Sequence, residues 1–301
     1  MVDGNAAGEP GMDAADGERP CLLVLGMHRS GTSALTRGLM ALGASLGDRL
    51  LPPDSCNPRG FFEDEDIYAV NFHLMDALGY TWDNPARLAP PRLREEATGG
   101  RGQEALRLLR AKTAEGGLAA FKDPRFSRLM PFWRPLLASA GLAPRCVLAL
   151  RHPDAVAQSL ARRDDMEPVL AHALWLRHTL DALDGSRGLP RVLVSYDRLL
   201  AAPARELARV GHALGLAVDT AALAEFSRDF LDAGLRHHKP GDAPAGVGEP
   251  GPLGRLALRL YAGLEPLAAA PPEALEAGLE KGSLLCLREE CARILDEATT
   301  L

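Results

Sequence analysis

Short apolar runs alternate along the chain with longer segments in which apolar residues recur at helical spacing. The short runs are bounded by glycine, proline or charged residues and predict β-strands at residues 21–25, 117–121, 145–150 and 191–195. The longer segments predict helices at residues 32–42, 64–79, 153–163, 167–183, 205–214 and 272–295. Strands that alternate with helices are typical of an α/β fold, in which helices flank a parallel β-sheet.

Two segments lack both patterns. Residues 1–19 are acidic and glycine-rich, without the apolar stretch of a signal peptide, and predict a disordered leader. Residues 239–252 are rich in glycine and proline and predict a mobile loop. We therefore expect a single domain over residues 20–301, in which residues 253–301 form a helical C-terminal extension.

Composition narrows the possible partners. The formal net charge of −6 argues against a nucleic-acid partner. No apolar run approaches the ~20 residues needed to span a bilayer, so we expect a cytoplasmic protein. The five cysteines and eight histidines show no metal-ligand spacing, and no metal site is predicted. Nothing in the sequence bears on oligomeric state.

The first strand leads into a glycine-framed loop, GMHRSGTS, at residues 26–33. A G-x-x-x-x-G loop between a strand and a helix directs backbone N–H groups at an oxyanion, and the helix dipole adds positive potential. Arg29 adds a planar guanidinium suited to phosphate or sulfate. P-loop NTPases carry a lysine where Thr32 stands, so the loop predicts an anion site but disfavours a metal-dependent kinase.

A second candidate anion site lies in RHPDAVAQSLARR, residues 151–163. Arg151 ends a predicted strand, at the edge where open α/β sheets bind ligands. Ser159 lies on the following predicted helix. Together the two side chains could hold a second phosphate, although a solvated helix with ordinary charges has the same pattern.

These two motifs resemble the sulfotransferase family that uses 3'-phosphoadenosine 5'-phosphosulfate, and in particular its bacterial members. GMHRSGTSAL looks like the family's 5'-phosphosulfate loop, and Arg151 and Ser159 match its 3'-phosphate motif, Arg-x7-Ser. Four further blocks follow the family's order: NPRGFFED, FKDPRFSRLMPFW, LVSYDRLLAAP and FLDAGLRHH. The resemblance spans roughly residues 20–240 and implies a three-layer sandwich like that of P-loop NTPases.

The resemblance also implies a donor site. It assigns the 5'-phosphosulfate to the loop residues His28, Arg29, Ser30, Gly31, Thr32 and Ser33, and the 3'-phosphate to Arg151 and Ser159. Tyr196 stands where family members place an aromatic residue near the adenine, although it could equally pack at a strand end. Arg29 would stabilise the charge on the leaving oxygen without a metal.

On the acceptor side, a hydroxyl needs a general base within hydrogen-bond reach. Glu63 is the first candidate, because Phe61 and Phe62 could raise its pKa by desolvation. Alternatively, it belongs to an acidic helix start, which the helix dipole favours. His73 and Asp83 are the other candidate bases. Lys122 would touch the transferring sulfuryl group or orient the acceptor.

The sequence thus predicts a sulfotransferase that acts on a hydroxyl, or less readily an amine, of a small-molecule or glycan acceptor, a lipid or a secondary metabolite. Two alternatives remain open at this point. One is a catalytically silent protein of the same fold that binds a nucleotide or a glycan. The other is a divergent P-loop kinase.

Overall fold

The computed structural model describes residues 18–54, 57, 59–230 and 250–299. Within these ranges the strands form one parallel sheet: β1 Arg19–Leu25, β2 Ala44–Ser45, β3 Leu118–Lys122, β4 Leu142–Leu150 and β5 Arg191–Ser195. Their order is β2-β3-β1-β4-β5, with β1 at the centre. The alignment of Leu23 with Phe121 of β3 and with Cys146 of β4 fixes the register around β1.

Helices make all the longer connections. Those before β5 are α1 Thr32–Met40, α2 Glu65–Ala77, α3 Pro90–Thr98, α4 Gly100–Lys112, α5 Phe126–Ser139, α6 Pro153–Asp164 and α7 Pro168–Gly185. Those after β5 are α8 Tyr196–Ala201, α9 Pro203–Ala213, α10 Thr220–Phe230, α11 Pro252–Leu264, α12 Pro272–Leu279 and α13 Gly282–Thr299, with a 3₁₀ helix at Glu265–Ala269. No helix in the described ranges is both long and apolar enough to cross a membrane.

The central strands are buried on both faces, which explains the unbroken apolar runs at residues 21–25 in β1 and 146–150 in β4. Successive residues of β1 point to opposite sides. Leu22 and Val24 join a core that includes α1 and α9, whereas Leu23 and Leu25 join a larger core that includes α5, α7 and the C-terminal helices. The predicted α/β class, with a parallel sheet between two helical layers and a helical C-terminal extension, is confirmed.

The strand order also locates a crevice. The chain leaves β1 toward β2 on one side of the sheet, and it leaves β4 toward β5 on the other side. The connections after these two neighbouring strands therefore diverge at the carboxyl edge, where open α/β sheets bind their ligands. Residues 26–31 follow β1 and Arg151 follows β4 at this edge.

Several elements differ from the sequence prediction. Strand β2 has only two residues, too few for a recognisable pattern, and α5 contains Pro131 and Pro135, which are unfavourable in helix interiors. The single helix predicted over residues 272–295 is two helices, α12 and α13. Strand β1 begins inside the predicted leader, at Arg19, and Pro252 begins α11 instead of ending a loop. The rest of the leader, up to residue 17, and residues 239–249 lie outside the described residues.

Candidate functional site

The loop after β1 has a left-handed or otherwise positive-φ backbone at three positions, two of which are glycines. Gly26 and Gly31 have φ of 143° and 83°, and Arg29 adopts φ 64°. A Cβ on Gly26 would lie 2.9 Å from the Ala149 carbonyl oxygen in β4, and a Cβ on Gly31 would lie 2.1 Å from Cδ2 of Tyr196. The two glycines therefore let the loop pass close to β4 and to the Tyr196 ring.

The loop ends in a set of backbone donors at the start of α1. Gly31 is the N-cap and has no side-chain cap, and the first hydrogen bond of the helix runs from Leu35 N to Gly31 O. The N–H groups of residues 31–34 donate to no group of the described part of the chain. Unpaired donors at a helix N-terminus favour an anion.

The two motifs predicted to bind anions meet at Arg29. Its Nε donates to Ser159 Oγ at 2.8 Å, and its carbonyl oxygen accepts from Arg151 Nη1 at 2.7 Å. The left-handed backbone at Arg29 allows the carbonyl and the side chain to face these two partners. Ser159 is buried on α6, so its hydroxyl is held at a fixed place.

Arg151 is a half-buried cation without an acidic partner. No carboxylate of the described residues lies within ion-pair distance of its guanidinium, which lies 4.6 Å from the centroid of the Tyr196 ring. Burial lowers the pKa of the Arg151 guanidinium. Because an arginine stays protonated in proteins, this buried charge favours an anionic ligand.

Lys122 connects the loop to the segment that holds Phe61 and Glu63. Its Nζ donates to Glu63 Oε1 at 2.5 Å, to the Phe61 carbonyl oxygen at 3.0 Å and to Ser33 Oγ at 3.3 Å. The Ser33 hydroxyl also donates to Phe61 O at 3.2 Å and accepts from Asn57 Nδ2 at 3.3 Å. Lys122, the last residue of β3, thus places its ammonium group beside the loop residue Ser33.

Glu63 lies in the site, whereas the neighbouring Asp64 builds the helix. Glu63 is 6% exposed, and burial raises its pKa while the Lys122 ammonium opposes that rise. Asp64 caps α2 by accepting from Asp66 N and Ile67 N, and it pairs with Lys112 at 2.7 Å. Of these two acidic residues, Glu63 therefore faces Lys122 in the cleft, whereas Asp64 caps the helix.

The other candidate bases are more exposed to solvent than Glu63. His73 is exposed on α2, with its ring 5.5 Å from that of Phe72. Asp83 is partly exposed in the segment between α2 and α3. Asp123 and Arg125 form a buried ion pair at 2.9 Å.

His28 has surroundings that its sequence context does not reveal. Its ring centroid lies 4.7 Å from that of Trp82 and 5.9 Å from that of His178. Burial, and then the charges of His178 and nearby cations, hold its pKa well below the usual value. Trp82 and His178 come from distant parts of the chain, and no local motif marks either residue. No group of three or more potential metal ligands occurs in the described ranges.

The fold matches that of a known class of protein, the sulfotransferases. The structure is similar to the sulfotransferase domain from the Synechococcus PCC 7002 olefin synthase, with a TM-score of 0.50 and 22% sequence identity. The similarity covers 85% of this chain and 98% of that domain. No protein-family model and no curated protein sequence matches the chain. The chain thus has a sulfotransferase-like fold.

Proposed function

We propose that this protein is a sulfotransferase that uses 3'-phosphoadenosine 5'-phosphosulfate as its donor and a hydroxyl compound as its acceptor. The observation that carries the proposal is the half-buried Arg151 guanidinium, which has no carboxylate partner in the described part of the chain and lies beside Arg29 and Ser159. A nucleotide with phosphates at both its 3' and 5' positions matches two adjoining anion sites.

The residues fit the charge and the hydrogen-bonding groups of this donor. Residues 31–34 offer backbone donors for the 5'-phosphosulfate, and the contact of Gly31 with Tyr196 keeps an aromatic ring close to the loop. Arg151 and Ser159 would hold the 3'-phosphate. The Arg29 side chain, bonded to Ser159, would then lie between the two phosphate positions.

When bound, the donor supplies an activated sulfuryl group and leaves with negative charge on a phosphate oxygen. Arg29 balances this charge with a fixed guanidinium. Glu63 takes the proton of the acceptor hydroxyl, and its raised pKa makes it a stronger base than an exposed carboxylate. Lys122 holds Glu63 in place and adds positive charge beside Ser33.

The proposal is tested by sulfuryl transfer from donor labelled with ³⁵S to a mixture of hydroxyl compounds. We expect labelled products with the unmodified protein and a fall of about a thousandfold or more with Arg29→Ala. Arg37→Ala is the matched control, because Arg37 lies in the last turn of α1 and not in the loop. Circular dichroism establishes that each variant is folded.

Three outcomes would contradict the proposal or the role that it gives to Arg29. Full turnover by Arg29→Ala would show that Arg29 is not needed for sulfuryl transfer. Transfer of phosphate from ATP with Mg²⁺, without transfer of sulfate, would favour the divergent kinase. If the protein binds adenosine 3',5'-bisphosphate but transfers nothing, it is a catalytically silent relative.

A further inference from the structure

Asp123 accepts more hydrogen bonds than its ion pair with Arg125 requires. Its Oδ2 accepts from Arg125 Nη1 at 2.9 Å and from Asn71 Nδ2 at 3.0 Å, and its Oδ1 accepts from the Arg125 backbone N–H at 2.9 Å. Asp123 and Asn71 are both fully buried. Three donors therefore fix the carboxylate, and one of them comes from a different element, α2.

The orientation of the Asn71 amide follows from its other partner. Trp133 Nε1, in α5, lies 2.8 Å from Asn71 Oδ1. Because an indole N–H only donates, it must face the amide oxygen, and the amide NH₂ group is then directed at Asp123. Trp133 is fully buried as well, so an internal chain of hydrogen bonds runs from α5 through α2 to Asp123.

This chain joins the two segments that hold the proposed base. Glu63 stands just before the N-cap of α2, the helix that contains Asn71, and Lys122 ends β3 just before Asp123. Two contacts thus connect these segments: Lys122 Nζ with Glu63 Oε1 at 2.5 Å, and Asn71 Nδ2 with Asp123 Oδ2 at 3.0 Å. A buried second contact holds a reactive group in place more closely than one ion pair does.

The charged groups around Glu63 act on it in opposite directions. Burial is the largest cause of the raised pKa of Glu63, and the negative charge of Asp123 adds to it, whereas Lys122 and Arg125 lower it. Asp123 acts on Glu63 more strongly than its partner Arg125 does. A neighbouring negative charge that raises the pKa of a carboxyl group makes its ionised form a stronger base.

We propose that Asp123 is a positioning residue for Glu63: held by Asn71 and Arg125, it fixes α2 against the end of β3 and keeps a negative charge beside the base. The inference rests on the proposed sulfotransferase function and adds to it a residue that acts through Glu63. An ion pair that only stabilised the fold would not influence the titration of Glu63, so titration separates the two roles.

The test is a pH titration by NMR of protein labelled with ¹³C in its glutamate carboxyl groups, with the Glu63 resonance identified by its loss in Glu63→Gln. Asp123→Asn removes the charge and keeps the shape, and the Glu63 midpoint should fall by about one pH unit. Asp181→Asn is the matched control. It removes an α7 carboxylate that pairs with Arg128 and Arg177, and the midpoint should not change.

A double variant covers the case in which Asp123→Asn does not fold because Arg125 is left unpaired. Asp123→Asn combined with Arg125→Met removes both charges, and such a replacement of a buried ion pair is often neutral for stability. The Glu63 midpoint should still fall, although by less, because Asp123 acts on Glu63 more strongly than Arg125 does.

Asn71→Leu tests the connection through α2, because it keeps the charge of Asp123 and removes the bond. In sulfuryl transfer, kcat should fall about tenfold or more, while KM for the donor changes less than about twofold. Trp133→Phe should lower kcat by less, because the Asn71 amide then loses only its orientation.

The proposal is overturned by an unchanged Glu63 midpoint in Asp123→Asn or in the double variant, or by an equal fall in Asp181→Asn. Full kcat in Asn71→Leu would also overturn it. The NMR titration uses neither donor nor acceptor. If the unmodified protein transfers no sulfate, the proposed function fails, and the titration still decides whether Asp123 acts on Glu63.

Discussion

The proposed donor and acceptor sides of the cleft differ in whether their cations have carboxylate partners. On the donor side, the Arg151 guanidinium has a carbonyl oxygen and an aromatic ring as partners, and no carboxylate of the described chain is within ion-pair distance. On the acceptor side, Lys122 is paired with Glu63 and Arg125 with Asp123. Arg163 is paired with Asp164.

The difference indicates what each side binds. A buried cation without a counter-ion is preorganised for an anion, so the donor side suits a ligand that carries several negative charges. The acceptor side is neutralised within the protein and suits an uncharged molecule. Substitutions should follow the same division: loss of a cation weakens binding on the donor side but destabilises the fold on the acceptor side.

The largest expected effect is on stability. Lys122→Met leaves the Glu63 carboxylate buried without its partner and should lower the free energy of unfolding by about 3–5 kcal/mol in urea denaturation. Arg151→Met, the matched change on the donor side, removes an uncompensated buried charge and should cost less than about 1 kcal/mol. Similar losses in the two variants would refute the contrast between the two sides.

A second comparison isolates the contact between the loop and Tyr196. Gly31 and Gly43 have nearly equal φ, 83° and 82°, but only Gly31 has an atom within 4 Å of the site of its absent Cβ. Gly43→Ala should therefore cost only the backbone strain, about 1–2 kcal/mol. Gly31→Ala should cost about 2 kcal/mol more and abolish binding of adenosine 3',5'-bisphosphate. Equal losses of stability would mean that the close approach to Tyr196 is not a constraint.

The pH dependence of stability reports on Glu63. Because its pKa is raised in the folded protein, the folded state holds this proton more tightly than the unfolded chain does. That stability is lost as the pH rises above 4.5, the ordinary pKa of the group, and through the folded value. The stability of Glu63→Gln relative to the unmodified protein should therefore rise across this interval by about 1.4 kcal/mol for each unit of pKa shift, from a starting value lowered by the unpaired Lys122.

The same variant should lose sulfuryl transfer at every pH if Glu63 is the base. His73→Gln should retain activity, because His73 lies exposed on α2. A stability difference that does not change with pH would show that the Glu63 carboxyl titrates normally.

The smallest effect is expected at Tyr196. Tyr196→Phe keeps the ring 4.6 Å from the Arg151 guanidinium and should change bisphosphate affinity less than about twofold. Tyr196→Leu removes the ring and should weaken binding by about 0.5–2 kcal/mol, measured by calorimetry. A larger loss with Phe than with Leu would assign the role to the hydroxyl.

Much of the architecture follows from local pattern. The β5 strand, Arg191–Ser195, has the predicted bounds, because its three central residues are apolar and all five residues are buried. The Arg29 loop was also predictable, because its glycines and hydroxyls are contiguous in the sequence. The two-residue β2 and the proline-containing α5 were not predictable, since tertiary packing stabilises them and their sequences carry little helix or strand signal.

The site was predictable only where its members are adjacent in sequence or belong to a motif. The pairing of Lys122 with Glu63 joins the end of β3 to the residue before the α2 cap, and no spacing rule relates them. The contact of His28 with Trp82 and His178 depends in the same way on the packing of distant segments. Segment 81–87 is fixed by Arg128, which donates to the carbonyl oxygens of Asn84 and Ala86.

The most direct test of the account is calorimetric titration of the unmodified protein and Arg151→Met with adenosine 3',5'-bisphosphate and with adenosine 5'-monophosphate. Arg151→Met should weaken the bisphosphate about 100-fold, the equivalent of about 2.7 kcal/mol, which is expected for a hydrogen-bonded charge pair. The monophosphate should lose less than about threefold, because it lacks the 3'-phosphate. Equal losses for both nucleotides would contradict the assignment of Arg151, and no binding of either would contradict the donor site itself.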